Sequence, residues 1–200
     1  MIAVLRSELY RSLTVRSSWV SLTGFALVAA LTGWFSEDFW SLFAGLGAFG
    51  LAVMLTAQHY QHRTAVLVFL GQPHRLRALA AQCVVAIVLG LLLAAVSGIP
   101  IVLMGSAAQY SSTLTVVPLI AVFGVANATI VRRPLWLLAG YLGWVLFVEG
   151  LFGRLQEPLP FTSFLFASAG RTEFVLALLA WTAAALPPAA WCIRRDLTSA

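Results

Sequence analysis

Two histidines and one carboxylate are the side chains of this sequence with the most evident chemical capacity. His59 and His62 stand three residues apart, so a helix would bring both imidazoles to one face, which is how a metal site can begin. A third ligand is missing, because His74 follows only after Gly71 and Pro73, where a helix would break. The pair therefore reads as loop histidines meeting a partner or lipid headgroups, with no metal. Glu149 is the one acid inside a long hydrophobic run. Inserting a charge at mid-membrane costs about 2.5–3.5 kcal/mol, less towards the interface. Three readings stay open: Glu149 faces a polar path, pairs with Arg154, or is protonated. Asn127 and Gln82 read as inter-helix hydrogen-bonding groups, and Asn127 joins Glu149 as a candidate lining of such a path. There is no lysine, hence no G-x-x-x-x-G-K phosphate loop, and neither H-E-x-x-H nor G-x-S-x-G occurs. No catalytic residue and no cofactor are predicted on this chain.

The elements that would hold these residues are hydrophobic runs. Of 200 residues 61% are hydrophobic and 10% charged, with a mean hydropathy of +0.94. A soluble chain of this size could not hide so much apolar surface, so the composition predicts an all-α polytopic membrane protein. Six runs are near or above the length that crosses a bilayer: 18–35, 39–57, 78–104, 114–131, 134–152 and 174–193. The first two are joined only by Ser36-Glu37-Asp38 and must form a tight hairpin. The third contains Gly98-Ile99-Pro100, which predicts a kink or tilt. On the second, Ala44, Ala48 and Ala52 make a small-residue stripe that permits close helix approach, within the chain or between subunits. Pro187-Pro188 in the sixth removes two backbone donors and frees the carbonyls of Ala183 and Ala184.

Between the runs lie three distinctive segments. Residues 2–16 carry Ile2, Leu5, Leu9 and Leu13 on one helical face, with Arg6, Arg11 and Arg16 on much of the remainder. That pattern predicts an interfacial helix lying flat, its arginines on phosphate headgroups. Residues 58–77 form a basic loop with an apolar insert, Ala65–Leu70. Residues 153–172 are too short and too interrupted by Pro158 and Pro160 to cross, yet Phe161–Ala169 is apolar, which predicts a re-entrant outer element before the last span. The whole reads as a single transmembrane domain over 1–200, with no cleaved signal.

Charge sets the orientation. The net charge is +5 and all twelve basic residues are arginines. With the N-terminus inside, ten of them fall on the cytosolic side and only Arg154 and Arg171 outside, which predicts a multi-pass inner (plasma) membrane protein with both termini cytosolic. The basic balance thus reads as topology and not as nucleic-acid binding. Cys83 and Cys192 lie near the cytosolic ends of their spans, where no disulfide is expected.

Taken together, the flat N-terminal helix, six spans with both ends inside, the long second cytosolic segment and the re-entrant outer element resemble the membrane subunit of an ABC-type exporter of the type-2 permease class. Thr64, the apolar Ala65–Leu70, then Pro73, Arg75 and Arg77 are similar to that class's coupling-helix region. The sequence departs from it in lacking an acid just before Thr64, in having Arg63 beside that threonine where a glycine is usual, and in opening the third span with Gln82. The resemblance implies that His62, Arg63, Thr64, Leu67, Phe69, Pro73, Arg75 and Arg77 couple to a cytosolic ABC-type ATPase, which would carry the ATP and Mg. It also implies a second permease subunit, identical or related. The chain would then export a hydrophobic or amphipathic substrate such as a drug, peptide or lipid. The alternative is a small integral-membrane enzyme or assembly factor acting on lipid or peptide, for which Glu149, Asn127 or the histidines would have to converge on a wet cavity.

Overall fold

The computed structural model describes residues 16–61 and 75–194, and every regular element in them is helical. In chain order these are α1 (Arg16–Gly33), α2 (Glu37–Gln61), α3 (Arg75–Ser97), the short α4 (Ile99–Leu103), α5 (Ala107–Val131), α6 (Pro134–Gly143), α7 (Pro160–Ser168) and α8 (Thr172–Arg194). A π-helix over Trp144–Phe152 continues α6 without a break. Among the described residues, five segments are long and apolar enough to cross a membrane: Glu37–Ala57, Arg75–Ser97, Ala107–Val131, Pro134–Phe152 and Thr172–Arg194. Trp19–Gly33 is a shorter apolar helix. The expected interfacial helix with Arg6 and Arg11, and the loop residues His62, Arg63, Thr64, Leu67, Phe69 and Pro73, lie outside the described residues.

Helix α2 is the centre of the bundle and packs on α1, α3, α5, α6 and α7. Ser36 starts it, its hydroxyl accepting from the Asp38 amide at 3.2 Å, while Glu37 and Asp38 place negative charge in the first turn. Ala44, Ala48 and Ala52 are fully buried within this chain. They let α3 and α5 approach closely: a side chain at Gly124 of α5 would meet the Phe49 carbonyl and the Ala52 methyl, each at 3.0 Å. The small-residue stripe is thus used for packing within the chain.

The third hydrophobic run is divided. α3 stops at Ser97, Gly98 makes the bend, and Pro100 is the second residue of α4, its missing N–H harmless in a first turn. Gly98 is needed because the rings of Trp40 and Tyr110 occupy the space where a Cβ would project. Those rings stack at 5.8 Å, and the Trp40 indole donates to the Ser97 hydroxyl at 3.2 Å. Outer faces are apolar as well: Leu135, Leu146, Phe147 and Leu151 beside α6, and Leu176 and Leu179 on α8, are exposed. On a helical bundle of this composition such faces meet lipid.

Candidate functional site

Glu149 and the short helix α7 form the most polar buried site among the described residues. The carboxylate is fully buried. It accepts from the Trp144 indole at 3.0 Å and the Phe161 amide at 3.2 Å through Oε1, and from the Thr162 amide at 2.6 Å and the Thr162 hydroxyl at 2.8 Å through Oε2. The backbone explains the arrangement. A helix leaves its first amides without partners and carries partial positive charge there. Pro160 opens α7 and has no N–H, Ser163 donates back to Leu159 at 2.7 Å, and the two remaining amides, Phe161 and Thr162, are those that Glu149 receives. A side chain twelve residues upstream caps the helix. No ion pair joins Glu149 to Arg154, and all its partners are neutral donors.

The π-helix makes this cap reachable. Its wider turn aligns residues about five apart, so Trp144 and Glu149 share a face, which α-helical winding would separate. The segment closes on itself beyond Phe152: the Leu155 amide donates to the Glu149 carbonyl at 2.8 Å, and Arg154 and Leu155 take left-handed backbone at φ 47 and 53. α7 is then packed on α2, α5 and α8. Phe164 fills the notch at Gly45 of α2, and Phe161 joins Phe49, Phe123 and Tyr141 in an aromatic cluster with ring centres 4.8–6.0 Å apart.

Two cavities flank α6, and Tyr141 lines both. The larger, about 500 Å³, lies among α5, α6, α7 and α8, with Phe123, Asn127, Trp136, Trp144 and Trp181 in its wall. The smaller, about 390 Å³, lies between α6 and the α1–α2 pair and is lined by apolar side chains such as Phe25, Val28 and Leu138. Asn127 donates to the Phe123 carbonyl at 2.8 Å and accepts from the Tyr141 hydroxyl at 3.0 Å. It is at once an inter-helix group and a cavity residue. Glu149 does not line the cavity; it stands behind Trp144 and Pro160, which do. The two residues proposed together for a path are therefore separated by one layer of side chains.

At the opposite end, arginines close the last turn of α8. Arg75 donates to the carbonyls of Ile193 and Arg194 at 3.2 and 3.4 Å, and Arg132 to that of Cys192 at 3.1 Å. Cations belong at a helix C-terminus, where carbonyls lack partners. Arg132 also ends α5 in a left-handed conformation at φ 58. Arg77 is exposed, Cys83 and Cys192 are free thiols, and His59 falls within α2. Among the described residues no group of three His, Cys, Asp or Glu comes together to hold a metal ion. Sequence reasoning did not identify Thr162, Trp144 or Arg132 as partners. The signal for the first was present in Pro160, which marks a helix start whose next two amides need an acceptor.

Bundle, apolar faces and buried cap together define a polytopic helical membrane protein. No protein-family model and no curated protein matches the chain.

Proposed function

We propose that this chain is the membrane-spanning permease subunit of an ATP-driven exporter, moving a hydrophobic or amphipathic substrate out of the cytosol with energy from a separate ATPase. In this reading α1 is the first of six spans, both termini are cytosolic, and α7 is the re-entrant outer element. The observation that carries the reading is the cavity beside α6: an aromatic-walled space between α6 and α8, open to the outside of the bundle, next to a helix that few neighbours hold. α6 rests lightly on α2 and α5, whereas α8 is tied firmly to α5 and α7. A helix so placed can move without dismantling the core. The alternative, a membrane enzyme using Glu149, finds no support in that residue's surroundings, since four protein donors surround the carboxylate and it has no exposed surface.

The test is co-purification. The tagged chain, extracted from its native membrane in mild detergent, is expected to bring a stoichiometric ATPase with a phosphate loop, identified by mass spectrometry. Emergence alone under several mild conditions would overturn the reading. A charge reversal aimed at coupling belongs on Arg77, because Arg75 also holds the end of α8 and its loss would confound assembly with folding.

A further inference from the structure

The wall of the larger cavity is unevenly furnished with hydrogen-bonding groups. Of its side-chain donors, the Tyr141 hydroxyl is committed to Asn127, the Trp144 indole to Glu149 and the Trp181 indole to the Pro158 carbonyl at 2.8 Å. Asn127 has spent one of its two N–H groups on the Phe123 carbonyl. What remains besides that amide is the indole of Trp136, which is 73% exposed. Acceptors are better supplied. The oxygens of Tyr141 and Asn127 keep lone pairs, and Ala184, also in the wall, has lost the α-helical donor for its carbonyl because residue 188 is proline. No cationic side chain lines the space, and Phe123, Tyr141, Trp144 and Trp181 bring aromatic rings to it.

We propose that this cavity binds an amphiphile whose polar group donates hydrogen bonds, an ammonium or a hydroxyl, and rejects the matching carboxylate. A hydroxyl finds acceptors for its proton; an ammonium finds acceptors and ring faces that attract positive charge. A carboxylate would lose its hydration and gain one or two donors at most, too few to offset the loss. A volume near 500 Å³, mostly apolar with a few placed polar groups, suits a small organic molecule. The inference deepens the export reading by naming the class of cargo and rests on it only there, since binding needs no ATPase.

The experiment uses the full chain in lipid nanodiscs and reads quenching of tryptophan emission by four bromophenyl-hexyl probes that differ only in the head: ammonium, hydroxyl, methyl ether and carboxylate. The donating probes are expected to bind about fivefold to tenfold more tightly than the ether, the scale of one net hydrogen bond, and the carboxylate most weakly. The ammonium and hydroxyl arms decide which donating head the cavity prefers. Two variants locate the site. A side chain at Gly140 meets nothing within 4 Å of its Cβ and projects from the cavity wall, so Gly140→Phe fills the space and should weaken the donating probes at least about tenfold. Pro188→Ala restores the amide that bonds Ala184 and should bring the donating probes towards the ether while leaving the ether unchanged. Equal binding of ether and donors, preference for the carboxylate, or quenching unaffected by Gly140→Phe would overturn the proposal. Should Gly140→Phe fail to fold, an unchanged donor-to-ether ratio in Pro188→Ala overturns it alone. Failure here leaves an associated ATPase untouched, and absence of an ATPase leaves the binding untouched, so the two readings fall separately.

Discussion

The two ends of the bundle close helix termini with remote side chains of opposite sign, and they do so at different depths. At one end Glu149 reaches the first amides of α7 from a fully buried position, with every partner a protein donor. At the other, Arg75 and Arg132 reach the last carbonyls of α8 from half-buried positions. Both obey the helix macrodipole. The contrast lies in what replaces a lost partner. Water can reach half-buried carbonyls, so the arginine contacts improve a helix end that would survive without them. Nothing can reach the amides beneath Glu149, so that contact decides whether α7 can be buried at all.

The largest effect should follow from removing the buried cap. Glu149→Ala strands the amides of Phe161 and Thr162 and the indole of Trp144, and should lower stability by about 3 kcal/mol or more. Thermal unfolding in mild detergent would read this as a large fall in midpoint, with Glu149→Gln in between because it keeps one acceptor. An unchanged midpoint would break the comparison outright. Packing offers a rival account of how α7 is held, and Gly45→Ala addresses it. The new methyl would project into the Phe164 ring, at a cost of about 1–3 kcal/mol. Phe164→Leu on the same background should recover part of that loss through coupling between neighbours. If Gly45→Ala proves worse than Glu149→Ala, packing and not capping governs α7.

Much of this architecture was legible in the residues. Hydropathy marks the apolar runs, because a membrane demands them at a fixed length. Gly98 and Pro100 mark the division of the third run, since both change local backbone rules. Ala44, Ala48 and Ala52 announce a close approach without saying to what. The partner of Glu149 was not legible. An ion pair with Arg154 is only one of the three readings the sequence leaves open, and the π-helix, which no sequence period advertises, turns the carboxylate towards α7. Arg75 and Arg132 were hidden differently: a count of arginines per side captures their sign, but the same positive-inside bias arises whether or not each cation holds a carbonyl.

Between the two caps sits a neutral link, Tyr141 to Asn127, which joins α6 to α5. Tyr141→Phe keeps the ring in its aromatic cluster and loses one hydrogen bond, for about 1 kcal/mol. Because α6 has few other attachments, the same change should raise amide hydrogen exchange in α6 well above that in α5. Equal exchange in both helices would show that the loose helix is held by something other than this bond.

The weakest and sharpest test lies at Arg132, where capping and backbone conformation pull in opposite directions. Its guanidinium supplies a bond to the Cys192 carbonyl, yet its backbone holds φ 58, a region that disfavours any residue with a Cβ. Arg132→Ala loses the bond and keeps the unfavourable conformation, so it should destabilise by about 1 kcal/mol. Arg132→Gly loses the same bond but removes the Cβ, and should recover up to about 1 kcal/mol of that loss. The order Arg132 ≥ Gly > Ala in unfolding midpoint is therefore expected. If Ala and Gly fall together, the left-handed turn costs nothing there, and Arg132 acts on the end of α8 only through its guanidinium.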